Sequence, residues 1–378
     1  MGGLGISYGN VFHANQVNPA LSVKNTAFNF QAALNYERLA IASSAATEHL
    51  DGGGLSYVVL SLPVDPGKWT IGMGLNQISS VNYNLSATSP VANSDLLSFN
   101  NIQGSGGITE AYLQTGFRLF KNLSLGVQGS YVFGSTIRTN RVILMNEDLA
   151  TVGTPSEYYE RLTLADVAVK AGAYYAQPLG DQKFLNFGAI YHIFGDLNGV
   201  EFAKVANSGE ASDPDSAGDI LSNDKKGTVF LPNKLGYGVS YENTNKFVVG
   251  LEFQQQNFSE YRNFNGTVGE LTDFYKVGLG AQFTPNLFSM DNVLERISYR
   301  VGLEYEQTPF ILNGQEIKDI GINFGGSIPM NNLSLLNLAF KLGTRGNTDN
   351  GLIRENYFKV SLGFSINDNS WFYKRVFE

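Results

Sequence analysis

Period-two alternation of apolar and polar residues runs the length of this chain, and helical periodicity is almost absent. The last clear segment sets Phe358, Val360, Leu362, Phe364 and Ile366 on one face and Lys359, Ser361, Gly363 and Ser365 on the other. Phe247, Val249, Leu251 and Phe253 stand in the same way opposite Val248, Gly250, Glu252 and Gln254. Tyr299, Val301, Leu303 and Tyr305 stand opposite Arg300, Gly302, Glu304 and Glu306. About fourteen such segments can be drawn, roughly at 26–42, 55–63, 68–84, 107–120, 123–140, 161–177, 183–199, 227–242, 245–258, 271–284, 296–309, 315–328, 333–345 and 356–366. Successive side chains of a strand point to opposite faces, so the chain reads as all-β.

The connections alternate in length. Short ones at 64–67, 121–122, 178–182, 243–244 and 329–332 alternate with longer polar ones at 43–54, 85–106, 141–160, 200–226, 259–270 and 346–355. An even number of long segments joined alternately by turns and loops is the pattern of a transmembrane β-barrel. A soluble β-sandwich also alternates, with its apolar face towards a core. Three features favour lipid. Many segments reach about 12–17 residues, against a usual 5–6. The other face mixes glycine with charges of both signs. Aromatic residues near segment ends (Tyr36, Tyr83, Tyr131, Tyr241, Tyr357 and Trp371) suit interfacial girdles. The expectation is a transmembrane antiparallel β-barrel of about 14 strands over 26–366, with a short tail at 367–378. Residues 1–25 do not read as strand, and a segment ahead of the first strand of a large barrel either dangles or folds into the lumen as a plug.

Composition excludes other classes. None of the 378 residues is cysteine, which removes disulfide scaffolds and thiolate metal sites. A net charge of −8, from 34 acidic and 26 basic residues without a basic run, speaks against nucleic-acid binding. Charged residues are 16%, below the roughly 25% of soluble domains. No stretch reaches the roughly 18–20 apolar residues of a membrane helix. Residues 1–5 lack the basic and apolar regions of a secretory signal, so an exported chain would have lost its signal ahead of Met1.

The amino-terminal Gly3-Leu4-Gly5-Ile6-Ser7-Tyr8-Gly9, followed by Asn18-Pro19-Ala20-Leu21, resembles the hatch of the FadL-type outer-membrane transporters of hydrophobic molecules. Leu60-Ser61-Leu62-Pro63-Val64 before Trp69-Thr70-Ile71-Gly72-Met73-Gly74 is similar to that family's turn between strands two and three, and Leu231-Pro232-Asn233-Lys234 to its Leu-Pro at strand eight. The ending, 371–378, resembles chains of Bacteroidota. The resemblance implies a fourteen-stranded barrel, with residues 1–25 as a hatch inside it, in the outer membrane of a Gram-negative bacterium, in contact with its lipids. It would take up long-chain fatty acids or other apolar compounds passively, with such a ligand or detergent in its lumen. In this chain the loops expected to capture ligand are polar: 141–160 has only Val142-Ile143-Leu144-Met145 as an apolar run. A second function therefore stands beside transport: a non-transporting subunit of a larger outer-membrane complex for protein assembly or secretion, with other outer-membrane proteins as partners.

No catalytic, metal or cofactor site is expected. Gly5-Ile6-Ser7-Tyr8-Gly9 matches G-x-S-x-G, but no strand precedes it and no helix follows. His13, His49 and His192 are scattered, and Asp213–Asp219 lacks a closing Glu for calcium. On the inward face stand Arg118, Asp166, Lys170, Glu252, Lys276, Arg300, Glu304, Glu306, Asp319, Lys341 and Lys359. Such charges pair or stay hydrated. Of the cations, Arg118, Lys276 and Arg300 are the candidates for holding a ligand carboxylate, as a guanidinium does bidentately. In the hatch, Gly3 and Gly5, with Gly2, would let the backbone run close to the wall. Asn18, Pro19 and Ala20 would form a rigid corner leading into the first strand.

Overall fold

A computed structural model describes residues 1–42, 47–330 and 334–368. Trp371 and the expected tail beyond 368 lie outside the described residues. Strands β1 (Phe28–Ala42), β2 (Thr47–Asp65), β3 (Trp69–Pro90), β4 (Leu97–Arg118), β5 (Leu123–Met145) and β6 (Ser156–Gly180) form an up-and-down meander. β7 (Lys183–Ile193) and β8 (Gly195–Asn207) both pair with β6 and are two halves of one broken strand. β9 (Asp219–Leu231) and β10 (Lys234–Asn243) are likewise two halves, since Leu231↔Gly195 and Lys234↔His192 keep one register. β11 (Phe247–Gln256), β12 (Phe274–Phe283), β13 (Ser298–Leu312), β14 (Gln315–Pro329), β15 (Leu335–Arg345) and β16 (Arg354–Asp368) complete the circuit, and β16 pairs with β1. Counting each broken strand once, fourteen staves form a closed antiparallel barrel. The closed belt pairs each stave on both sides, whereas beyond it β9 pairs, among the described residues, only with β8, apart from an isolated bridge at Phe230↔Arg262.

The two breaks lie side by side. Gly195 takes φ +69° and Pro232 has no N–H to give a ladder, while the Phe194 N–H reaches Asn233 Oδ1 at 3.4 Å. Between Val169↔Ile193 and Leu164↔Gly199 the β6 ladder slips by one residue. Asp166, expected on the lumen face, fills this seam, accepting from Asn198 N at 3.0 Å and Nδ2 at 2.6 Å.

Outside and inside are inverted relative to a soluble sheet. Leu251, Leu303, Ile322 and Phe364 point outwards and are about half exposed (48–50%), whereas Gln31, Gln114, Gln128, Asn186 and Glu252 are buried in the interior. Tyr36 and Tyr131 stand on the outer face, but Tyr357, expected in a girdle, faces inwards and donates its hydroxyl to Asp319 Oδ1 at 2.6 Å.

Much of the expected long polar loops is strand. β3 to β6 run 22 to 25 residues each, taking in most of 85–106 and parts of 141–160, and β8 and β9 pair through most of 200–226. Polarity does not end a hairpin: where both faces are solvated, the backbone ladder can continue until a turn stops it. A seam of glycines marks the change. Gly106 and Gly107 take φ +107° and +155° beside a bulge at Gln77/Ser79, and a Cβ on either would strike the backbone carbonyl of Ser135 or Ser79.

Candidate functional site

Residues 1–25 pack inside the barrel as turns and a short 3-10 helix, Pro19–Lys24. Glycines on the inner faces of neighbouring strands receive them. A Cβ on Gly116 (β4), Gly126 (β5), Gly172 (β6), Gly188 (β7), Gly278 (β12) or Gly302 (β13) would collide with the segment's own atoms, mostly backbone. On the segment itself, Gly2 at φ +55° lies against the Leu279 carbonyl. Gly3 lies by the Lys276 side chain at ordinary contact distance, and Gly5 is closed in by Val17 of the same segment rather than by the wall.

Polar groups stitch the segment together. Glu252 accepts from the backbone N–H groups of Gly5, Ile6 and Ser7 at 2.7–3.0 Å and from the Ser7 hydroxyl at 3.1 Å. Three successive N–H groups converging on one carboxylate form an anion nest. Asn18 has extended φ/ψ (−116°, 108°), accepts from Ala20 N, and donates to the carbonyls of Ile6 (2.7 Å) and Ala173 (3.0 Å). Pro19 opens the 3-10 helix, whose start has no use for its missing N–H. Ala20 is fully buried with Leu21 against Tyr174.

The three candidate cations separate. Arg118 ends β4 on the exposed rim, away from the lumen interior, with its side chain by Gly67. Lys276 is engaged: its Nζ lies 3.0 Å from Glu304 and 3.9 Å from Glu306, and Lys341 shares Glu304 at 2.8 Å. Arg300 donates from Nε to neutral Gln282 at 2.8 Å, and no carboxylate lies in ion-pair distance among the described residues. Inward parity identified these positions but could not show which would be neutralised.

Among the described residues, three cavities border residues 1–25. The largest, about 810 Å³, lies towards the loop end with Gln16 and Val17 as its floor. Its walls are about half apolar, among them Ile108, Val132, Ile190, Phe194, Leu231 and Phe274, with Lys170, Lys234 and Arg345 as cations and Glu110 and Glu306 as carboxylates. Lys170 donates to Gln16 O and Gln128 Oε1, both at 3.3 Å, and Lys234 stands 5.7 Å from the Phe274 ring centre. Lys234 was not among the sequence candidates, although its parity with Gly236, Gly238 and Ser240 places it inwards. A cavity of about 460 Å³ beside the plug, along β14 and β15, shares Gln16 and Val17 with the first. It shares Tyr8, Asn10, His13 and Arg300 with a third, of about 700 Å³, at the turn end.

The remaining motifs have other uses. Ser7 of G-x-S-x-G serves the Glu252 nest. The acidic loop closes on Lys204, whose buried ammonium takes the carbonyls of Asp213 (2.8 Å) and Ser216 (2.7 Å). No cluster of three or more potential metal ligands occurs among the described residues.

The protein-family model BamG matches residues 1–378. No curated protein matches the chain in sequence. Among solved structures, the Ralstonia pickettii toluene transporter TbuX is similar at TM-score 0.61 and 14% identity, over 97% of this chain and 96% of that one. The Pseudomonas putida toluene transporter TodX gives 0.60 and 16%, over 98% and 96%. A Pseudomonas aeruginosa FadL homologue gives 0.58 and 12%, over 97% of each chain. At such identities the likeness is one of fold.

Proposed function

The chain belongs to the BamG family, and we propose that it is a channel for hydrophobic molecules in the outer membrane of a Gram-negative bacterium. The observation that carries the reading is that the three cavities adjoin one another, each sharing lining residues with the next. An apolar molecule admitted at the loop end has space beside residues 1–25 along β14 and β15, so residues 1–25 act as a hatch that narrows the lumen without filling it. The outward apolar residues supply the lipid-facing belt, with the loop end outside and the turn end in the periplasm. Solved barrels of this fold that are named as toluene transporters support the same reading.

Within that class, long-chain fatty acids suit the loop-side cavity better than neutral hydrocarbons. The apolar half of the wall matches a chain, and Lys170 and Lys234, in ion-pair distance of neither Glu110 nor Glu306 of the same cavity, match one carboxylate. Purified protein in liposomes should take up palmitate faster than 1-hexadecanol, and Lys234→Gln should remove that preference. Uptake no faster than in protein-free liposomes would refute the channel.

The grip on the plug favours a second reading, that of a non-transporting subunit of a larger outer-membrane complex. A barrel whose amino-terminal segment is held by a carboxylate nest and a run of wall glycines is well suited to staying closed. Stoichiometric partners after mild detergent extraction, together with no uptake in liposomes, would favour it.

A further inference from the structure

The turn-side cavity has a chemistry of its own. Lys24, Lys246, Arg296 and Arg300 line it, against the single carboxylate of Glu242. That carboxylate lies 3.8 Å from Lys24 and leaves the arginines without a counter-charge. Arg300 has only its bond to neutral Gln282, and the buried Arg296 Nε has no hydrogen-bond partner among the described residues. Two part-buried arginines without a counter-charge, beside an exposed Lys246, are unexpected around one hollow in a chain of net charge −8. A buried cation without a partner is costly unless an anion or water meets it.

The other half of the lining is apolar. Phe12 and Val248 lie within it, and the connection between β12 and β13 brings Leu287, Phe288 and Met290 over it. Phe288 is 76% and Met290 95% exposed, which leaves large apolar surface in water unless something covers it. This connection runs beside the outer face of the barrel: Leu294 O accepts from the hydroxyl of outward-facing Tyr299 at 3.0 Å. About 700 Å³ lies within the roughly 300–1,000 Å³ of small-molecule sites.

We propose that the turn-side cavity binds an anionic amphiphile. Arg300 and Arg296 hold a carboxylate or phosphate head, and the acyl chain lies under Leu287 and Phe288. A planar guanidinium bonds either head bidentately. The site stands on the far side of the plug from Lys170 and Lys234, and it does not depend on whether the loop-side cavity conducts. A free fatty acid and a phospholipid share the chemistry it recognises.

The test is calorimetric titration of the purified protein in a neutral maltoside detergent with palmitate, with palmitoyl lysophosphatidate and with uncharged 1-hexadecanol. Native mass spectrometry of protein extracted from membranes runs in parallel. Arg300→Gln should weaken binding of both anions by about tenfold and leave hexadecanol unaffected. Phe288→Asp, on an exposed side chain that the barrel does not need to fold, should weaken all three. A phospholipid retained by the native protein and lost from Arg300→Gln identifies a lipid headgroup as the source. Binding of added palmitate alone identifies a free amphiphile. Anion binding that survives both variants, or that is lost with Lys234→Gln and not with Arg300→Gln, would overturn the proposal.

Discussion

Two arcs of the barrel treat the plug differently. Along eight contiguous staves, from β4 through β7 and β10 to β13, inward glycines bring wall and plug into direct contact, and Glu252 holds three backbone N–H groups there. Along β14 and β15 no described glycine meets the plug, and the space is the cavity of about 460 Å³ beside Gly325 and Ala339. Polar side chains bridge the nearby contacts, as where His13 Nε2 meets Asn337 Oδ1 at 2.8 Å. Removing side chains on one arc only yields a lumen whose obstruction is fixed and whose free space is confined to one side. Under the proposed channel function, a segment so held need not leave for a small molecule to pass.

The comparison can be broken from either side. Deleting residues 2–16 removes the contacts with β7, β10 to β13 and the free side while leaving those of Asn18–Ser22 with β4 to β6, and should have the largest effect. The barrel should still assemble, while planar-bilayer conductance rises and cells become sensitive to bulky antibiotics. Unchanged permeability in a folded barrel would mean that these residues do not obstruct the lumen.

Substitutions on single arcs should separate next. Gly188→Val puts atoms onto the Ile6 carbonyl, and such overpacking costs about 1–3 kcal/mol. It should make the plug accessible to added protease. Ala339→Trp fills the free side and should leave the plug protected while slowing uptake. Equal proteolysis of the two variants would erase the distinction between the arcs.

A smaller change is expected for Glu252→Gln, which keeps the shape but weakens charge-assisted bonds worth about 1.5–3 kcal/mol. Amide exchange at residues 5–7 should quicken selectively. No change in exchange there would remove Glu252 from the grip.

Period-two alternation made the staves legible because each stave has one face for each environment. It failed where environments stop differing. At 85–106 and 200–226 polar residues read as loop, yet the backbone goes on pairing. Arg118 follows inward parity to the last residue of β4, where the wall ends and parity no longer means lumen. Glu252 was correctly read as inward, but its partners lie about 245 positions away and only closure of the barrel brings them together. The wall glycines were visible as part of a mixed face, while their shared purpose required the plug's path. Lys234 was hidden beside Pro232, in a segment read as a strand opening rather than as lumen.

Passage beside a stationary plug, as the proposed channel requires, is directly measurable because the chain has no native cysteine. Ser240 Oγ lies 3.1 Å from the Ser7 carbonyl, so cysteines at 7 and 240 can be bridged by a short bis-thiosulfonate linker. Uptake of palmitate into liposomes is then compared before bridging, after bridging and after reduction. The expected result is equal uptake in all three states and loss of uptake when Ala339→Trp is added. Uptake that stops on bridging and returns on reduction would contradict it, and would make displacement of the plug the gating step.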